Sequence, residues 1–318
     1  MFPDGEIPTF FTRYSKGDPL ECFEPHRSYG PDNYRHPLIL IQRAPGEDRT
    51  TAKAYRFLDQ DYCFTKNYFG YSGGSHPDGP LLVALLHLIV HSSLFQHFTY
   101  MCSGQVGARR RIIDKQDIDA FPFPILEKLS KDDRATALSL ADALDMPGER
   151  NLKSVDDFVC RLFGLTKAEQ QVVEDTVTFN GPYRSVREPA ALPTPPDEAK
   201  TFARSLELSL QPFFKVAGQK VKVAVVPRIE DDWQQPWCFV TLLLENDDWT
   251  PAPKVISSLM AEATRSAASR VVMPLPEGGL IIGLVNKRRF WTRSGARLCA
   301  LHIAREHLAQ AFPLNTRR

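Results

Sequence analysis

The sequence predicts an α+β fold in which strands and one long helix precede a helical middle and a small mixed domain. Short apolar runs between turn residues indicate strands in the first and last thirds of the chain. Capping-type spacings of Ser or Thr with Asp or Glu indicate helices between them. The predicted domains are therefore residues 1–126, 127–215 and 216–318, and the last one has the order β-β-α-β-β-α.

The first domain is predicted to start with an arm rich in proline, glycine and aromatic residues, over residues 1–36. Strands are predicted over 38–43, 53–58 and 62–67, a loop over 70–80 and a helix over 81–101. The apolar stretch 81–90 is the one candidate for a membrane span, which needs about 20 apolar residues. Polar residues interrupt its extension, so we expect a buried helix and no membrane.

The middle domain is predicted to contain three capped helices, a proline-rich linker or surface strap, and a fourth helix. In that order, these elements lie near 131–145, 155–163, 167–178, 181–199 and 198–213. In the last domain, strands are predicted over 221–226, 237–244, 270–274 and 280–285, and helices over 253–268 and 294–311. Leu298, Leu301 and Leu308 are expected on the inner face of the last helix.

The formal charge of the 318-residue chain is +1, so any surface that binds nucleic acid has to be local. The six cysteines are scattered and form no C-x-x-C pair, which argues against a zinc finger and is typical of reduced thiols. The first residues, MFPDGEIPTFF, have neither the basic nor the apolar region of a signal peptide. We therefore expect a cytoplasmic protein.

Motifs of the common catalytic centres are missing from the sequence. Methylation of DNA adenine needs a glycine-rich cofactor loop and a [DNS]-P-P-[YFW] tetrapeptide that holds the flipped base. The nearest string, Thr194-Pro195-Pro196-Asp197, differs at its first and last residues. There is no Walker loop and no G-x-G-x-x-G. We predict no catalytic residue and no cofactor in this chain, although a Ser/His/Asp set assembled from distant positions would leave no motif.

Two pairs of histidines lie close enough in the sequence to be considered as metal ligands. His87 and His91 lie four apart on the predicted long helix, but Leu88 occupies the glutamate position of an H-E-x-x-H motif and the neighbours are apolar. They are predicted to be core or interface histidines. His302 and His307 lie five apart, which is not the same-face spacing of a helix, so no metal site is predicted.

Two basic clusters supply the candidate DNA-binding residues. The first follows the long helix and contains Ser103, Gly104, Gln105, Arg109, Arg110, Arg111 and Lys115. Glycine lets the backbone approach a phosphate, arginine pairs with phosphate or guanine, and glutamine with adenine. The second, within NKRRFWTRSGAR at 286–297, contains Lys287, Arg288, Arg289 and Arg293 around Phe290 and Trp291. The alternative for each cluster is a solvated basic turn, with Trp291 as an anchor in the core.

Residues 38–127 resemble the target recognition domain of type I restriction specificity subunits and of type IIG-like adenine-N6 DNA methyltransferases. That family has a helix reading roughly LLxxLLNSxLxxYY, a small-residue and glycine turn, an Ile-x-x-x-Asp-Leu segment and P-x-P. The matching strings are Leu81 to Leu86, Ser92-Ser93-Leu94-Phe95, Ser103-Gly104, Ile113 to Ile118 and Phe121-Pro122-Phe123-Pro124. Residues 165–318 also resemble the distal tail of some large bacterial methylase-like defence proteins, for which no activity is implied.

The resemblance implies an α/β recognition module that reads a DNA sequence through the turn and the residues after it. The chain departs from the fused methyltransferases because it lacks their catalytic domain, and from specificity subunits because it has a single recognition-like half. We therefore expect a noncatalytic subunit of a restriction-modification or related anti-phage complex. Its expected partners are double-stranded DNA and a methyltransferase-like chain carrying any S-adenosylmethionine, with a nuclease or helicase as a further candidate. A scaffold with a degenerate recognition fold, or a methyltransferase half completed by another chain, are the alternatives.

Overall fold

The computed structural model of the chain is a mixed structure of helices and antiparallel sheets, which confirms the predicted class at that level. It describes residues 12–14, 31–44, 53–64, 67–104, 112–148, 150–215, 218–227, 235–245, 252–266, 268–275, 278–307 and 312. The chain forms two compact units, the first comprising Met1–Val177 with Gly181–Ser185 and the second Thr178–Asn180 with Val186–Arg318. The finer division into three domains stays a prediction.

Short antiparallel strands form the sheets of the first unit. They are β1 (Thr12–Tyr14), β2 (Leu38–Gln42), β3 (Ala54–Phe57), β4 (Asp61–Cys63) and β5 (Tyr68–Ser72). One sheet has the order β3-β2-β5, and β1 pairs with β4 in another. Strand β2 is buried on both faces, because its alternating side chains enter two different apolar clusters. The predicted strand over 62–67 is wrong in part, since β4 ends at Cys63 and β5 begins at Tyr68.

The predicted helix over 81–101 is two helices, α1 (Gly79–His91) and α2 (Ser93–Cys102), which meet at a bend of 67°. Ser92 breaks the helix because its backbone is extended and its hydroxyl accepts a hydrogen bond from the amide three residues on, as an N-cap does. Among the described residues, no single helix has both the length and the hydropathy of a membrane span, and α1 and α2 have them only when joined across the bend.

Among the described residues of the first unit, four further helices follow, two of which pack against α1. They are α3 (Lys115–Asp119), α4 (Lys131–Asp145), α5 (Leu152–Leu162) and α6 (Lys167–Phe179), of which the last two residues belong to the second unit. Helices α1, α4 and α5 share a core of leucines and small residues that includes Leu85, Leu88, Ala137, Ala141 and Val159. The Ser130 hydroxyl accepts from the Asp133 amide at 3.0 Å, which confirms the predicted cap of α4.

The second unit is a four-stranded antiparallel sheet between two layers of helix. Its elements are α7 (Arg184–Ala191, whose first two residues belong to the first unit), α8 (Pro196–Lys215), β6 (Val221–Val225), β7 (Trp237–Leu244), α9 (Pro253–Arg265), β8 (Arg270–Pro274), β9 (Leu280–Val285) and α10 (Arg293–Glu306). The strand order is β6-β7-β9-β8, with α8 and α10 on one face and α9 on the other. The predicted linker over 181–199 is wrong in part, because α7 occupies its centre.

The inner face of α10 differs from the prediction. Leu298 and Leu301 are 66% and 59% exposed, and Leu308 lies outside the described residues. The buried face consists instead of Ala296, Cys299, Ala300 and Ile303. These positions follow the i, i+3, i+4, i+7 spacing of one helix face, and their small side chains let α10 approach α8 and the sheet closely.

Candidate nucleic-acid interface

The first basic cluster falls partly outside the described residues. Gln105, Arg109, Arg110 and Arg111 belong to the segment 105–111, for which only the two flanks are described. Gly104 is exposed and Ser103 half-buried at the end of α2, and Lys115 is exposed at the start of α3. The geometry of these flanks decides how the arginine-bearing segment is attached to the fold.

One carboxylate joins the two flanks of the segment 105–111. Asp117 Oδ2 accepts a hydrogen bond from the Ser103 hydroxyl at 2.7 Å and from the Asp114 amide at 2.9 Å. The second flank is also attached to β2, because the Ile113 amide donates to the Arg43 carbonyl at 2.8 Å. Residues on the two sides of the segment therefore share one acceptor. The sequence analysis missed Asp117, although its place three residues after an N-cap is a known capping signal.

Lys115 is engaged in an ion pair within its own helix. Its Nζ lies 2.9 Å from Asp119 Oδ2 and 4.8 Å from the centre of the Tyr71 ring, and the Tyr71 hydroxyl donates to Asp119 Oδ1 at 2.8 Å. Partial burial acts to raise the pKa of Asp119, but the hydrogen bonds from Lys115 and Tyr71 outweigh it and lower that pKa. A phosphate would have to compete with this carboxylate for the Lys115 ammonium.

The described residues around Gly104 leave room for a side chain at this position. A Cβ built on it would have no atom within 4 Å, and its backbone is not in the left-handed region that favours glycine. Among the described residues, nothing therefore requires a glycine at position 104.

The second basic cluster is partly used by the fold. Arg288 forms a forked ion pair with Glu198 at 2.6–3.1 Å and stacks on Phe179, so it is a structural residue of the second unit. Trp291 is 3% exposed and packs on Phe202, which confirms the alternative that it is a core anchor. The second cluster is therefore only partly available to a ligand.

The remaining cations of this cluster lie at the surface. Arg289 and Arg293 are exposed and Lys287 is half-buried. Arg289 stacks on Phe290 with its guanidinium carbon 5.2 Å from the ring centre. These three residues, without Arg288, are the part of the second cluster that can reach a phosphate.

His87 and His91 are buried, as predicted for core histidines, at 2% and 3% exposure. His91 Nδ1 donates to the His87 carbonyl at 2.8 Å, and His91 Nε2 accepts from the Lys53 amide at 3.2 Å. Both ring nitrogens of His91 are therefore used, and the ring is held neutral. Burial lowers the pKa of both imidazoles, and the positive potential of its neighbours adds to the effect at His91.

A buried arginine next to this pair was missed by the sequence analysis. The Arg56 side chain is 2% exposed, and it donates to Asp145 at 2.7 Å and to Asp142 at 2.8 Å. His87 Nε2 lies 3.2 Å from Asp145 Oδ1, although neither ring nitrogen of His87 has hydrogen-bond geometry with a described residue. Burial would raise the pKa of Asp145, but His87 and Arg56 hold it at about 2. This network joins β3, α1 and α4 and is structural.

Comparison with protein families, with curated proteins and with solved structures finds no match for this chain. Functional assignment therefore depends on the residues themselves. Among the described residues, the flanks of the segment 105–111 combine exposure, a fixed geometry and adjacency to the densest run of arginine in the sequence.

Proposed function

We propose that the chain is a noncatalytic DNA-recognition subunit of a bacterial restriction-modification or related anti-phage complex. It contacts duplex DNA through the segment 105–111 and acts with a separate methyltransferase-like chain, which holds any S-adenosylmethionine. A nuclease or helicase is a further candidate partner. The resemblance of residues 38–127 to target recognition domains motivates this proposal.

The observation that carries the proposal is the attachment of the segment to a common acceptor. A base-reading loop gains affinity when its ends are held in place, because less conformational freedom is lost on binding. Asp117 provides such a hold through Ser103 and the Asp114 amide. We expect Arg109, Arg110 and Arg111 to make forked contacts with phosphate or guanine.

Three acidic residues lie near the flanks of the segment 105–111. Their repulsion of DNA is weakened because each one is engaged in an ion pair or a hydrogen bond. Asp114 lies 3.5 Å from the Arg43 guanidinium, Asp117 is used as an acceptor, and Asp119 is paired with Lys115. The consequence is that Lys115 contributes little free charge. The attraction to DNA depends on the three arginines.

Fluorescence anisotropy with labelled duplex DNA, measured over a range of salt concentrations, tests the proposal. Replacing Arg109, Arg110 and Arg111 by alanine should weaken binding and flatten the log–log salt slope by about one unit for each phosphate that the variant no longer neutralises. A matched control replaces the exposed lysines Lys128, Lys131 and Lys153, which removes the same charge elsewhere on the first unit. Affinity and slope that fall equally in both variants indicate nonspecific attraction, and unchanged values in the arginine variant favour the scaffold alternative.

Gly104→Ala tests whether DNA comes close to the backbone. Because the added methyl group has open space around it, this variant should fold with unchanged stability. Weaker DNA binding with an unchanged salt slope would indicate steric contact at residue 104. Unchanged affinity would remove Gly104 from the interface and leave the arginines as its determinants.

A further inference from the structure

Three side chains with metal-ligating atoms come together at the carboxyl end of α10, in the second unit. They are His302, Glu306 and His307, and one ligand atom from each lies within 4.8 Å of the others. His302 Nδ1 is 3.4 Å from Glu306 Oε2, and the two imidazole rings are 5.2 Å apart at their centres. This cluster is at the opposite end of α10 from the basic residues 287–293, so the two can be tested separately.

The end of the helix explains how a spacing of five brings two histidines together. His302 and Glu306 are four apart within α10 and share a face. The helix ends at Glu306, and His307 is its C-cap with φ −120° and ψ −20°, outside the helical geometry. Because the chain leaves the helical path at His307, that imidazole returns to the face of His302. Helical periodicity does not apply to a residue beyond the helix end.

We propose that His302, Glu306 and His307 bind a divalent transition-metal ion such as zinc. Two imidazoles and one carboxylate are a ligand set that zinc accepts. Ligands on a tetrahedral zinc ion lie roughly 3.3 Å apart, given zinc–ligand distances near 2.0 Å. His302 and Glu306 already have this separation, at 3.4 Å, and the partial exposure of all three side chains leaves them room to adjust. The fourth position of the ion remains for water or another ligand.

The local electrostatics favour the ion in two ways and oppose it in one. The free carbonyl groups at the carboxyl end of α10 attract a cation, and Glu306 supplies a full negative charge. Arg270 and Arg305 repel the ion, which predicts a site of modest affinity.

Isothermal titration of the full chain with zinc chloride, after removal of metal by a chelator, tests the site. We expect one equivalent to bind. His302→Ala and His307→Ala should each weaken zinc binding by at least about tenfold. Removing a residue that only supports a metal ligand already weakens binding by about tenfold or more, and removing a ligand itself should weaken it at least as much. His76→Ala is the matched control, because it removes an exposed histidine of the first unit and should leave the affinity unchanged.

X-ray absorption at the zinc edge of the wild-type complex keeps the proposal testable if a variant fails to fold. Two imidazole ligands with one or two oxygen ligands are expected. A spectrum without imidazole, no measurable zinc binding, or an affinity that survives loss of both histidines would overturn the proposal. DNA binding that is unchanged in these variants would separate this site from the proposed interface.

Discussion

The two histidine pairs lie in opposite surroundings, although both belong to helices that pack on antiparallel sheets. His87 and His91 lie in the last turns of α1, where they are buried among apolar side chains and next to Arg56. His302 and His307 sit at the end of α10, half-exposed and beside a carboxylate. The first pair has the spacing of a metal motif but is used by the fold. The second pair lacks that spacing but presents its nitrogens at the surface.

The difference shows that ligand spacing on a helix is a weak guide to ligand availability. Both ring nitrogens of His91 form hydrogen bonds with the backbone, so a metal ion would have to break hydrogen bonds in a buried site. Binding at His302 and His307 would break no hydrogen bond between these imidazoles and the described backbone, unlike at His91, and the Glu306 carboxylate 3.4 Å from His302 Nδ1 is itself a proposed ligand. Both pairs lie at the carboxyl end of a helix, so burial, rather than spacing, decides which pair is available.

The largest effect is expected from removing the carboxylate of the buried network. Asp145→Ala should lower the free energy of unfolding by about 3 kcal/mol, because it leaves the Arg56 charge poorly compensated inside the protein. Asp142→Ala, which removes the other partner of Arg56 but is 66% exposed, is the matched control and should cost less than about 1 kcal/mol. Urea unfolding of both variants measures the difference. Equal losses would show that the buried pair has no special role.

A smaller effect is expected from acidification. In the unfolded chain His91 titrates near 6.5, whereas in the folded protein burial, followed by the charge of His87, holds its pKa well below that value. Below pH 6.5 the unfolded state therefore binds a proton that the folded state does not, and stability falls as the pH falls. The expected loss between pH 7 and pH 5 is about 2 kcal/mol for one histidine that stays neutral.

Denaturant unfolding at the two pH values measures this loss. His91→Gln is the informative variant, since it should start less stable at pH 7 but lose less on going to pH 5. A wild-type stability that is the same at both values would contradict the assignment of His91 as a neutral core residue. His302→Ala is the control, because the partial exposure of that imidazole couples it more weakly to folding.

The smallest effect is expected at the exposed pair when metal is absent. His302→Ala and His307→Ala should change stability by less than about 0.5 kcal/mol, as surface substitutions usually do. Adding zinc at ten times its dissociation constant for the wild-type protein should stabilise that protein by about 1.4 kcal/mol and either variant by no more than about 0.4 kcal/mol. Thermal unfolding with and without zinc separates these outcomes. Destabilisation of the metal-free variants by several kcal/mol would show that the pair is structural, like His87 and His91.

The strands and helices of the second unit were largely predictable from the sequence. Apolar runs over 237–244 and 280–285 are central strands, as short apolar segments with β-branched residues indicate. The inner face of α10 was not predictable from its leucines, because Ala296, Cys299 and Ala300 fill the narrow space beside α8. Large apolar residues mark a buried face only where the packing distance has room for them.

The candidate interface was predictable only in outline. The sequence shows the run Arg109 to Arg111. The spacing of Asp114 and Asp117 also predicts in part the helix cap that follows this run. Nothing local distinguishes Arg288, which the fold uses in an ion pair, from Arg289, which it leaves exposed. That distinction depends on Glu198, which is ninety residues away along the chain.

The sequence by itself determined the mixed helix and sheet class, the cap of α4, and the burial of His87 and His91, because these follow from local patterns of polarity and capping. Only the tertiary structure decided which charged side chains are engaged and which ligating atoms meet. The pairing of Arg56 with Asp145, of Arg288 with Glu198, and of His302 with His307 depends on where helices end and which elements they pack against. Periodicity describes one element at a time, whereas these contacts arise between elements or beyond the end of one.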